Sequence, residues 1–185
     1  MGQPKLHHYV PQFHLRRFLN RQGKVWVWDK TTDKIFSAVP NRIAAERNFY
    51  SLTGLISPNE DAMTMEKQFS ELEHKVSVIT SQWITWLDDL THGERIGLPE
   101  INREIMSLYI TLQFLRTADT RETLSLLADT SKMPKGLSDE ERRNLHTTLL
   151  WDQPIVNRIK NHVHDSIWVF GRNPTGLLPV SRTLS

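Results

Sequence analysis

Eight large apolar side chains, Met65, Phe69, Leu72, Val76, Ile79, Trp83, Trp86 and Leu90, follow one another at alternating steps of four and three. An α-helix turns once every 3.6 residues, so this spacing gathers all eight on one side. The pattern predicts one long amphipathic helix over residues 57–90. Ser57 is its expected N-cap, Pro58 its first helical residue and Glu60 the reciprocal partner of a capping box; Gly93 is its expected stop. A stripe of this width must be covered, and that need limits what the rest of the chain can fold into. The same stepping also fits a coiled-coil seam between two copies. Two Trp residues in the stripe favour instead a wide groove filled within one molecule.

The remaining periodicity supplies the cover. Ile101, Ile105, Leu108, Leu112 and Leu115 repeat the four-three stepping and predict a second helix over 100–118, a natural antiparallel neighbour of the first. A shorter segment over 120–128 would turn Leu124 and Leu127 inward. Ser138 with Glu141 repeats the capping-box signature and opens a helix to about residue 150. Pro154 opens the last helix, with Ile155, Ile159, Val163 and Ile167 on one face; Trp168, Val169 and Phe170 either close it or form a strand. Ahead of the long helix, residues 12–18 and 42–48 read as short helices. Residues 24–28 alternate, with Val25 and Val27 on one face and Trp26 and Trp28 on the other, and Ile35-Phe36 begins a return strand after the loop at 29–33. A lone hairpin is marginal in water, so one apolar on both faces is expected to be sandwiched. The expectation is a mainly α fold: a bundle of about five helices with a small N-terminal β-hairpin packed against it. A single domain over 1–185 would comprise a basic N-terminal segment to residue 50, the helical bundle over 57–170 and an irregular tail from 171.

Composition narrows the chemistry. The chain has no Cys, which excludes disulfides, thiolate nucleophiles and zinc–thiolate sites. No run approaches the roughly 18 apolar residues of a membrane span, and the residues leading to His7-His8 do not read as a signal peptide. A cytoplasmic protein without membrane association is the expectation. The net charge is only +2, but residues 1–47 hold nine Lys/Arg against three acids. Such a basic N-terminal third suits an anion-facing surface, or else the cationic side of a solvated domain.

The candidate functional residues lie mainly in this basic third. Arg16-Arg17 beside His14 is the most anion-like local cluster, suited to a phosphate or polyanion. Arg116 and Arg121 bracket a helix end, where they would bind an anion or complement the helix dipole. His7 and His8 are adjacent, so in an extended chain they point to opposite sides and cannot easily share a metal. His162 and His164 do not share a helix face. A site combining His7 or His8 with His162, His164 or Asp165 would have to assemble from distant segments. No metal-binding signature, phosphate loop or nucleophile elbow occurs, and no cofactor is implied. Glu71 and Glu73 flank Leu72 and read as solvated surface.

The run His7-His8-Tyr9-Val10-Pro11-Gln12-Phe13-His14-Leu15-Arg16-Arg17-Phe18, followed by Gly23-Lys24-Val25-Trp26-Val27-Trp28-Asp29-Lys30, closely resembles the opening of a bacterial family known as domain of unknown function 4238. The resemblance continues through Asn48-Phe49-Tyr50, Glu66, Glu71 and Glu73, the Gln113-Phe114-Leu115-Arg116-Thr117 segment with Arg121, and Trp168 with Asn173-Pro174-Thr175-Gly176. It implies no established activity. Members resembling this chain tend to continue past that last segment with a Thr-Ser-Asp-Asn-Pro type motif, where this sequence has residues 177–185; the resemblance therefore implies a member lacking its C-terminal part.

Two functions compete. One is a non-catalytic binding protein, dimeric or docked on a protein partner, that uses its basic end or an aromatic groove. The other is a phosphodiester-cleaving enzyme, a defence or toxin-like nuclease, with His7 or His8 as the acid–base group, Arg16 and Arg116 steadying the phosphate, and Tyr9, His14, Arg17 and Arg121 binding the polyanion or nucleic acid. Proximity of His7 or His8 to Arg116 favours the enzyme; dispersal over separate faces counts against it.

Overall fold

The computed structural model describes residues 6–47, 62–91, 94, 97–117, 119–120, 122–123 and 138–170. Among these the architecture is mainly α with two small antiparallel ribbons. Strand β1 (Leu6–His8) leads into a short helix α1 (Gln12–Leu15), continued by a 3-10 turn over Arg16–Phe18. The hairpin strands are β2 (Val25–Asp29) and β3 (Lys34–Ala38). A 3-10 turn over Pro40–Arg42 precedes β4 (Ala45–Arg47). Four helices follow: α2 (Ala62–Asp89), α3 (Glu100–Leu115), α4 (Asp139–Trp151) and α5 (Gln153–Asp165).

Central α3 packs most extensively on α5 and also contacts α2 and α4. Its close approach is possible because Ser107 and Thr111 are small and fully buried. Their hydroxyls donate to the carbonyls of Arg103 and Ser107, one turn back, at 2.8 Å each, so neither is left unsatisfied. The predicted stripe of α2 is covered within the chain. Val76, Ile79 and Trp83 are buried with Met106 of α3, flanked by Leu72, Trp86, Ile105 and Tyr109. A second cluster joins Leu115, Leu150 and Val156, with Phe69 and Tyr9 packed against it. The expected start at Ser57, the stop at Gly93, most of the 120–128 segment and the tail lie outside the described residues.

Helix ends follow local chemistry. Ser138 and Glu141 form the predicted capping box, with Glu141 N–H donating to Ser138 Oγ at 3.3 Å and Ser138 N–H to Glu141 Oε2 at 2.8 Å. Asp152 then caps α5 by accepting from Ile155 N–H at 3.1 Å. That last helix stops at Asp165, before Ile167, which the periodicity had placed on its buried face and which is 92% exposed. The reason is a set of side chains that satisfy the terminal carbonyls. Arg103 donates to the carbonyls of His164 and Ser166, the Trp168 indole to that of Val163, and Ser166 Oγ to that of His162. Residues 168–170 are neither helix nor strand; Trp168 and Phe170 pack edge-on against Trp83.

Two N-terminal expectations are corrected. The described part of the expected 42–48 helix, residues 42–47, is not an α-helix: Ala44 takes φ 51°, which breaks a right-handed helix, and Ala45–Arg47 pair with β1 in the register Leu6↔Arg47, His7↔Glu46, His8↔Ala45. The Ala44 carbonyl accepts from Tyr9 N–H at 3.0 Å and so closes this ribbon. The hairpin is not sandwiched either. Val25 is buried, but Trp26 is 67% and Ile35 71% exposed, and Trp28 and Phe36 are also exposed. Its geometry is fixed by its own turns instead. Asn20 Oδ1 accepts from the N–H groups of Gln22 and Lys24, Gly23 supplies φ 71°, and Asp29 accepts from Thr31 N–H and from Thr32.

Candidate functional site

Three segments converge on one cleft of about 490 Å³. The N-terminal segment supplies His7 and His8 from β1 and Gln12, Phe13 and Arg16 from α1 and the turn after it. One face of α2 supplies Phe69, Ser70, Glu73, His74 and Ser77, residues three and four apart and therefore neighbours on the helix surface. Arg116 comes from the C-terminal end of α3.

Arg116 is the most confined of these groups, with 1% of its surface exposed. Its Nη1 donates to Glu73 Oε1 at 2.9 Å, and the guanidinium carbon lies 5.2 Å from the centre of the Phe69 ring. With the Gln113 amide turned so that its oxygen faces the guanidinium, that oxygen accepts from Nη2 at 2.5 Å and from Nε at 3.1 Å. A buried cation without such partners would cost several kcal/mol. The helix end that carries Arg116 is equally fixed. The Leu115 carbonyl accepts at 2.7 Å from Nε2 of the fully buried His146, and the Phe114 carbonyl accepts from the hydroxyls of Thr117 and Thr120. A carbonyl only accepts, so His146 carries a proton on Nε2. Behind the cleft, burial pushes the Tyr109 phenol up to about 12, opposed by Arg116 and assisted by Glu73.

On the opposite wall, Arg16 Nη2 donates to Gln12 Oε1 at 3.2 Å. Arginine has no acceptor, so this bond sets the Gln12 amide with its nitrogen toward His8 Nε2, 3.5 Å away. His8 Nε2 therefore faces a donor and keeps an acceptor lone pair, which places the ring proton on Nδ1. His7 is buried and His74 exposed on the α2 wall.

The chain matches the family described as Protein of unknown function (DUF4238) over residues 6–177. The chain belongs to this family. No curated protein and no solved structure matches it.

In this DUF4238 member the four residues singled out as catalytic, His7, His8, Arg16 and Arg116, line one cleft, although Arg116 is a hundred residues from Arg16 in sequence. The residues singled out for binding are elsewhere. Tyr9 packs against the Leu115 cluster. Arg17 donates to Ser81 Oγ at 3.1 Å. His14 lies between the rings of Phe13 and Phe18, and loss of hydration, with the nearby Arg17 charge, holds its imidazole below the usual range. Arg121 is outside the described residues. His162, His164 and Asp165 are not in the lining, so a site joining them to His7 or His8 does not form. His164 instead places its two ring nitrogens against Glu100 at 2.9 Å and Asp165 at 3.1 Å. Among the described residues no group of three His, Asp or Glu is placed to hold a metal ion.

Glu73, His74, Gln12, Ser70 and Ser77 were not singled out from sequence, and Glu73 is no mere surface solvation. A signal was present: Ser70, Glu73 or His74, and Ser77 form a polar stripe alongside the apolar Phe69, Leu72 and Val76 stripe. A polar stripe bordering a core face is where a site is lined and not merely wetted.

Proposed function

We propose that this cleft binds a phosphate ester and cleaves a phosphodiester by general acid–base catalysis. The observation that carries the reading is the convergence of His7, His8, Arg16 and Arg116 with Glu73 and His74 on one cavity. His8 is the base: its Nε2 lone pair meets only a long contact from Gln12, which an incoming hydroxyl displaces. A water proton passes to His8 Nε2 as the water oxygen bonds to phosphorus. The phosphorus–oxygen bond on the far side breaks, and that oxygen takes its proton from His74. Arg16, exposed at the mouth, steadies the phosphoryl oxygens, while Arg116 holds Glu73 in place in the cleft wall.

The test is turnover of bis(p-nitrophenyl) phosphate and of a mixed-sequence oligonucleotide, with EDTA or with added divalent cation. Wild type is expected to cleave, and His8→Ala to lose about 10²- to 10⁴-fold in kcat/KM at an unchanged melting temperature. Arg16→Ala is expected to raise KM. No cleavage above the enzyme-free blank in either condition retires the reading. The rival, a purely binding protein, has one observation in its favour, the exposed hairpin face, and predicts capture of a polyanion without turnover and without dependence on His8.

A further inference from the structure

The face of the hairpin that carries Trp26 and Trp28 has no role in the cleft. Both indoles project from the same side of β2, two residues apart, beside Ser37 and Ile35 of β3 in the register Trp26↔Ser37 and Trp28↔Ile35. Large aromatic surface left in water is unfavourable unless it serves recognition. Here it is also held rigid. Trp28 donates its indole N–H to Asp33 Oδ1 at 3.0 Å, and Asp29 is occupied by the Thr31 and Thr32 turn. Those three bonds engage both acids of the hairpin. The cations near this face are Arg21, Lys24 and Lys30, with the Lys30 ammonium 5.9 Å from the Trp28 ring centre; Lys34, opposite Asp29, lies on the other face. An aromatic surface with cations at its edge, its carboxylates held in hydrogen bonds of the hairpin's own turn, is complementary to a ligand with flat apolar faces and an anionic backbone.

We propose that this hairpin face binds single-stranded nucleic acid, with bases stacked on Trp26 and Trp28 and the phosphates drawn by the surrounding Lys and Arg side chains. Two residues along a strand span about 6.8 Å, about twice the 3.4 Å per nucleotide of a stacked strand, so the two indoles are spaced for neighbouring bases of a strand drawn out of its own stack. Stacking needs no particular base, because every base has a π-face. Duplex bases are already stacked on each other, which leaves the single strand as the occupant. The hairpin binds by itself in this proposal; that the bound strand is also the substrate of the cleft rests on the phosphodiesterase reading.

The experiment uses the full chain and fluorescein-labelled 15-mers of uridine and of thymidine, followed by anisotropy, with indole quenching as the second signal. Wild type is expected to bind at low salt, with affinity falling linearly in log–log against salt. Trp26→Ala and Trp28→Ala are each expected to weaken binding about 5- to 100-fold, Trp28→Phe much less, and Glu71→Gln, on the exposed side of α2, not at all. Unaltered affinity of the two Trp→Ala variants, or no binding by wild type, overturns the proposal. So does a wild-type dimer that the double Trp→Ala variant dissolves, which would make a second copy the occupant. The two readings fail separately. Hairpin-dependent binding without cleavage removes only the catalytic one, and cleavage of bis(p-nitrophenyl) phosphate by a chain indifferent to Trp26 and Trp28 removes only this one.

Discussion

At the scale of single residues, Arg116 decides most about the cleft. Three of its five N–H donors are engaged by Glu73 and Gln113, and its side chain is almost fully enclosed. Removing the guanidinium strands the Glu73 carboxylate and opens a void beneath Phe69. Arg116→Ala is therefore expected to lower stability by about 3–5 kcal/mol. Glu73→Gln is expected to cost much less, about 1 kcal/mol, because the amide oxygen still accepts and Glu73 is 25% exposed, where water screens the lost charge. Urea midpoints of the two variants check this; equal losses would mean that the charge of the pair, and not the burial of Arg116, sets the cost. The cationic and imidazole members of the site were legible because such residues cluster visibly in a short N-terminal run and recur at Arg116. Their partners were not. A polar stripe beside the apolar one is all that marks Glu73 and His74 in sequence; what sets them apart from Glu71 or Lys67 is that α1 docks on that particular face of α2, and the docking is a property of two segments together. Glu71 shows the contrast: it only meets Lys67 at 4.0 Å on the exposed side.

At the scale of elements, long periodic stretches were readable and short ones were not. A stripe of eight positions has one helical solution, and a capping box states its own boundary. Residues 42–48 are too short for periodicity to outweigh pairing: their backbone finds β1, and Ala44 accepts a left-handed conformation for it. An alanine at φ 51° bears a steric cost of roughly 1 kcal/mol that glycine would not. Ala44→Gly is therefore expected to be neutral or stabilising by up to about 1 kcal/mol, and Ala44→Val clearly destabilising. Thermal melts of both variants check the sign. A loss on Ala44→Gly would show that the methyl group packs usefully and that the turn is unstrained. The end of α5 is the converse case. The periodicity ran on to Ile167, but Arg103 and Trp168, distant in sequence or outside the repeat, take the last carbonyls and stop the helix.

For the whole molecule, charge and topology combine. The N-terminal segment is laid against the middle of α2 and the C-terminal end of α3, so the cleft sits where His7, His8 and Arg16 come to the Arg116–Glu73 pair. At the other end of α3, the contact with α5 runs through His164. Both of its ring nitrogens face carboxylate oxygens, which only accept, so the imidazolium is the form that satisfies both. The hydrogen bond to Asp165 and, after the opposing loss of hydration, those to Glu100 raise its pKa above the ordinary 6.5. A histidine whose pKa is higher folded than unfolded binds more protons in the native state. Its stabilisation is complete below about pH 6.5 and disappears as pH rises through the folded value. His14 has the opposite sign: its lowered pKa means that the unfolded chain takes the proton more readily, so stability is full above the ordinary 6.5 and is lost as pH falls from there through the folded value. The two act in opposite directions on the pH dependence and are separated by substitution. His164→Gln is expected to lower the melting temperature most near pH 5.5 and to match wild type near pH 8.5, with the difference closing steadily between. A deficit that stays constant with pH would mean that His164 joins α5 to α3 by packing and neutral hydrogen bonds, and that the charge at that junction contributes nothing to holding the two helices together.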